Sequence, residues 1–135
     1  MRYTRLLRNA AQAGRILVKA GEGNPTGITG IYQHPNPRPA LLALYDATLK
    51  ELEKFPKDSV YRQSVEGITK TRKEVVEQNE IHEVIESKIG GGLIEEVVIQ
   101  AGEELELAKF LAEHKPWEDL IEKPDEGQWK YFDRE

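Results

Sequence analysis

Apolar positions along this chain recur every three or four residues in five stretches, and nowhere alternate long enough to predict a strand. The first stretch carries Leu6, Leu7, Ala10, Ala13, Ile16, Leu17 and Ala20, with basic residues between them. Residues 21–39 break the pattern with Gly, Pro and Asn and read as an irregular linker. Asn36-Pro37 closes that linker as a cap followed by proline at a first helical position. Leu41, Leu42, Leu44, Tyr45, Leu49, Leu52 and Phe55 then form a helical stripe to about residue 54, where Pro56 stops it. Asp58 or Ser59 caps a second helix along Val60, Tyr61, Val65, Ile68, Val75 and Val76. Gly67 weakens this helix locally without ending it.

Near Asn79 the phase is lost. A short helix over residues 80–88 carries Ile81, Val84 and Ile85, and the glycines at 90–92 break it. The last long helix puts Ile94, Val97, Val98, Ala101, Leu105, Ala108 and Leu111 on one side. Its acids come early and Lys109, His114 and Lys115 late, as the helix dipole favours, and Pro116 ends it. The tail has no helical period and is rich in charge and aromatics. The expected class is therefore all-α: an antiparallel three-helix bundle over residues 38–115 with a short extra helix. An N-terminal arm and linker over 1–37 precedes it, and an extended tail over 116–135 follows. So small a bundle buries about 60% of its unfolded surface, so a permanent partner is expected to add stability.

Charge sharpens the division. The net charge is −5, yet Arg2, Arg5, Arg8, Arg15 and Lys19 stand before Glu22 without a single acid. An acidic body behind a basic arm argues against nucleic acid as the main partner. The arm is Arg-rich, acid-poor and amphipathic, the composition of a mitochondrial targeting segment, or of a basic helix that packs on an acidic neighbour. The longest apolar run, residues 40–45, is far too short to cross a membrane. With no cysteine, disulfides and thiolate chemistry are excluded.

The search for chemistry predicts no catalytic residue, no metal ligand and no cofactor. The glycines at 90–92 lack the GK[ST] ending of a phosphate loop, and Glu95 and Glu96 repel a phosphate at that helix start. A helical di-iron site needs Glu three residues before His, but Ile31, Asn79 and Leu111 precede His34, His82 and His114 at that spacing. His82 beside Glu83 has no nucleophile or second base near it in sequence. The unusual feature is the tail, where Trp117, Trp129, Tyr131 and Phe132 lie on non-helical chain and need burial against the bundle or another protein. The expected division places Trp117 on the bundle and Trp129 to Phe132 on a partner.

Residues 44–78 and 91–129 carry a resemblance that covers about two thirds of the chain. Its motifs are Phe55-Pro56-Lys57 followed by Val60-Tyr61-Arg62, then Gly91-Gly92 with Glu95-Glu96-Val97 and Gln100-Ala101, then Lys115-Pro116-Trp117-Glu118. In order and spacing these resemble the small helical accessory subunit of respiratory complex I, the alpha subcomplex subunit 5 family. The arm, the linker and the short helix around Ile81 depart from the family pattern, and the longer basic N terminus suits a fungal member. The resemblance implies a three-helix subunit in the peripheral arm of NADH:ubiquinone oxidoreductase, on the matrix side of the mitochondrial inner membrane. It implies no redox centre and no catalytic residues, and a role in assembly and stability. The implied partners are core hydrophilic subunits, notably the NuoC-related one, and neighbouring accessory subunits. Candidate contact residues are Arg5, Arg8 and Arg15 of the arm and Trp117, Trp129, Tyr131 and Phe132 of the tail. Two alternatives stand beside this reading: an unrelated soluble helical adaptor, and a small acid–base enzyme with Arg62 and Arg72 lining an anion pocket.

Overall fold

The computed structural model describes residues 24–132, so Arg5, Arg8 and Arg15 lie outside the described residues. Among the described residues four helices follow in order: α1 (Pro37–Leu52), α2 (Val60–Gln78), α3 (His82–Ile89) and α4 (Ile94–His114). The class is all-α, as expected. Among the described residues the sole β feature is an isolated antiparallel bridge between Pro25 and Tyr32. It gives part of the expected irregular linker a defined turn, closed by the Gln33 N–H donating to the Asn24 carbonyl at 2.8 Å.

Helix α1 forms the centre. Pro37 stands in its first turn, where a missing N–H costs nothing. Its buried face is Ala40, Leu41, Leu44, Tyr45, Thr48 and Leu52. Of these, Leu41, Leu44 and Tyr45 form one core cluster with Ile94, Val97, Val98, Ala101 and Leu105 of α4, joined by Val76 of α2 and Ile85 of α3. Leu41, Leu44, Val97 and Leu105 are fully buried, and each such side chain contributes about 1.5–3 kcal/mol.

Contacts at the helix ends set the directions. Arg38 at the start of α1 donates from Nε to the Val76 carbonyl at 2.9 Å and from Nη2 to Glu77 at 3.0 Å, satisfying carbonyls at the end of α2. Helices α1 and α2 are therefore antiparallel. The His34 N–H donates to Glu95 at 3.3 Å, while Phe55, just past α1, packs on Trp117, just past α4. Helices α1 and α4 are thus parallel: α2 returns the chain to the starting end, and α3 with its glycine turn keeps it there until α4 begins.

Helix α2 departs from its expected stripe. Only Thr69 and Val76 are buried, while Val60 and Ile68 are 76% and 56% exposed. It leans on α1 and reaches α4 chiefly through long side chains. The Tyr61 hydroxyl donates to Glu104 at 2.5 Å, and Arg72 lies 3.5 Å from Gln100. Val60 and Ile68, two of the six residues of its apolar stripe, therefore find no covering helix.

Candidate docking site

The end of the molecule that carries the tail is built around Phe55. Its ring, 2% exposed, lies 5.4 Å from Tyr61 and 5.0 Å from Trp117, both tilted. Such pairs add about 0.5–1.5 kcal/mol beyond area burial. The Phe55 carbonyl accepts from Arg62, which also pairs with Glu66 at 3.6 Å. Burial and the hydrogen bond to Glu104 hold the Tyr61 phenol well above the usual tyrosine range. Lys115 caps α4 in the left-handed region at φ 48, turning the chain so that Trp117 swings back onto Phe55.

Beyond Trp117 the tail leaves the helices. Trp129, Tyr131 and Phe132 are 77%, 75% and 96% exposed. Trp129 and Tyr131 stand edge to face at 6.0 Å, and Trp129 holds φ 70, a conformation L side chains rarely adopt. The four aromatics therefore split, Trp117 against the helices and the other three on the open segment. Leu120 and Ile121, earlier on the same tail, are also exposed. No motif singles out this pair in the sequence; its one signal is two adjacent aliphatics in a stretch without helical period.

The glycine turn serves the helices. Gly90 ends α3 at φ 69, its N–H donating to Glu86. The first N–H groups of α4 are taken by the chain's own carboxylates: Ile94 donates to Glu86 at 2.9 Å and Leu93 to Glu96 at 2.8 Å. Gly92 holds φ 90, a conformation L side chains rarely adopt, and a Cβ there would also push the Glu96 carboxylate out of its place. A phosphate would have to displace two carboxylates to reach these amides.

Among the described residues the arginines and histidines make separate contacts. Arg62 is engaged at Phe55 and Glu66, and Arg72 faces Gln100 across α2 and α4, so the anion pocket posed for the pair does not form. His114 stacks on Phe110 at 4.1 Å with its Nδ1 2.8 Å from the Phe110 carbonyl. Burial lowers the His34 pKa, with Glu95 opposing. Among the described residues no group of three His, Cys, Asp or Glu side chains is placed to hold a metal ion. No helix among them is long and apolar enough to cross a membrane.

The family described as "ETC complex I subunit conserved region" matches residues 30–96, from the linker turn to the start of α4. A Candida albicans protein, NADH dehydrogenase (ubiquinone) 1 alpha subcomplex subunit MCI4, is 58% identical over 98% of this chain and 97% of its own. The mouse NADH dehydrogenase (ubiquinone) 1 alpha subcomplex subunit 5 is 39% identical over 78% of this chain and 91% of its own. An Arabidopsis thaliana protein named as its probable mitochondrial counterpart is 41% identical over 68% of this chain and 54% of its own. Near-complete coverage at that first identity leaves no room for a different fold or family, and the chain belongs to the alpha subcomplex subunit 5 family of complex I subunits.

Proposed function

We propose that this chain is a non-catalytic accessory subunit in the matrix-facing peripheral arm of mitochondrial complex I, where it supports assembly and stability. The observation that carries the reading is the tail. Three large aromatics, at least 75% exposed each, stand on a segment with no helical partner of its own. Exposed rings of this size mark docking surfaces, because their apolar area is covered only by another protein. Core hydrophilic subunits, notably the NuoC-related one, and neighbouring accessory subunits are the partners. Trp117 anchors the root of the tail, and Trp129, Tyr131 and Phe132 make the contact. The basic residues Arg5, Arg8 and Arg15 supply a second contact suited to an acidic neighbour.

The test is to replace Trp129 and Tyr131 together with alanine and follow incorporation into complex I by native-gel complexome profiling. Incorporation drops while the purified variant keeps its helix content and melting midpoint. Equal loss of helix content would show that the rings serve the core. Migration of the unaltered chain solely as a free monomer would refute membership of the assembly.

A further inference from the structure

Gly67 stands in the interior of α2, where alanine is the better helix former. Its backbone is ordinary helix, and a Cβ there would meet nothing within 4 Å. Neither conformation nor crowding inside the chain calls for glycine. What a bare glycine still permits is the close approach of another backbone from outside.

Beside Gly67 lies an open groove of about 450 Å³ between α2 and the end of α3. Ile68, Val75 and Ile89 give it an apolar wall, and Ile68 is 56% exposed. The charged groups that line it are Arg72 and Lys88, and no carboxylate does. Arg72 reaches towards Gln100, but Lys88 is exposed, and its ammonium donates to the amide oxygen of Asn79 at 3.0 Å. Lys54, Lys70, Lys73 and Lys115 each pair with a carboxylate instead. The acids nearest in sequence are engaged elsewhere, Glu86 by the Ile94 N–H and Glu74 by Gln78, both at 2.9 Å. On a chain of net charge −5 the groove is therefore a local positive site with an apolar wall.

We propose that a helix of a neighbouring complex I subunit lies in this α2–α3 groove, its backbone close over Gly67 and a carboxylate on it pairing with Lys88. Apolar residues of that helix rest on Ile68, Val75 and Ile89. The groove follows α2 from Ser64 to Val75, about 16 Å or three turns. A helix suits it better than an extended segment, because α2 and α3 offer no strand edge and a helix satisfies its own backbone. Glycine at the crossing brings two helix axes to the near end of their usual spacing, about 8 Å. This contact rests on the chain working within complex I, as proposed above, and is separate from the tail.

The experiment compares the unaltered full chain with Gly67→Ala, Lys88→Gln and Lys88→Glu, each assembled in mitochondria and each also purified and melted alone. Gly67→Ala melts about 3–8 °C higher on its own, because alanine favours the helix and nothing in the chain obstructs its methyl. From isolated complex I the same variant is released at least about fivefold faster in a chaotropic wash, since the methyl holds the partner helix off. A role confined to the chain's own fold would move both readouts the same way. Lys88→Gln leaves about two- to fivefold faster and melts within about 3 °C of the unaltered chain, and Lys88→Glu leaves faster still. Release of Gly67→Ala no faster than the unaltered chain overturns the close approach, and so does a lower melting midpoint of that variant. Release of Lys88→Glu no faster than the unaltered chain overturns the acidic occupant. A purified chain that dimerises, with the dimer lost in Gly67→Ala, puts a second copy in the groove and also overturns the proposal. An unaltered chain that never enters complex I fails the membership reading instead, so the two failures are told apart.

Discussion

Truncating Phe55 to alanine removes the ring that ties the ends of the three long helices together. The ring is 2% exposed and touches the aromatic rings of Tyr61 and Trp117. Deleting a buried phenylalanine costs about 3–5 kcal/mol through lost transfer energy and the cavity left behind. A Phe55→Leu variant keeps most of the buried volume but loses both ring pairs, so its cost is about 1–2 kcal/mol. For a body of this size each kcal/mol moves the melting midpoint by about 4–8 °C. The alanine variant should therefore melt at least about 12 °C lower and the leucine variant about 5–15 °C lower. Urea unfolding followed by tryptophan fluorescence, in a Trp129→Phe background so that Trp117 alone reports, gives both numbers. In Phe55→Ala the native emission shifts to the red as Trp117 loses its cover. A Leu variant as stable as the unaltered chain would refute the ring-pair contribution. A cost below about 1 kcal/mol for Ala would refute the clamp itself.

Leu105→Ala should destabilise the chain by about 2–5 kcal/mol, because the side chain is fully buried against α1. Ile68→Ala, at a position 56% exposed, should cost under about 1 kcal/mol, and similar losses at both sites by differential scanning calorimetry would reject the orientation of α2. Tyr61 provides a test in alkali. Its folded-state pKa is raised, so the folded chain keeps the proton after the unfolded chain has begun to lose it. Stability is thus fully present below about pH 10, the ordinary tyrosine value, and falls as pH rises beyond it. Tyr61→Phe should be less stable by about 1 kcal/mol at pH 8 and converge on the unaltered chain towards pH 11.5. Urea titrations that run parallel across that range would contradict the assignment.

How much was legible in the sequence differs by helix. For α4 the stripe from Ile94 through Val97, Val98, Ala101, Leu105 and Ala108 is buried, with Leu111 at its end only half-buried, because one partner helix covers one face. Periodicity reports such a face directly. For α2 the apolar residues spread over a wider arc than α1 covers, and no local rule says which part wins. Thr69 is buried while Ile68, its neighbour, is exposed. The split of the tail was legible because Trp117 follows the α4 stop by three residues, too close to leave the helices, whereas Trp129 does not. The α2–α3 groove was not legible. Gly67 reads as a local weak point of a helix, and the open space beside it emerges only from the placing of α3 against α2. The Glu86 cap on Ile94 was equally hidden, since it reaches across the glycine turn between two separate helices.

The parallel course of α1 and α4 has a mechanical consequence. The turn that holds Asn24 and His34 sits where α4 begins, and the tail departs where α4 ends. Their points of attachment are therefore about one helix of 21 residues apart, roughly 30 Å. A packed helix neither stretches nor shortens appreciably, so the body between them behaves as a strut of set length. Surfaces gripped at its two ends are held at that spacing. Any movement between them must be taken up in the tail or end in the release of one grip.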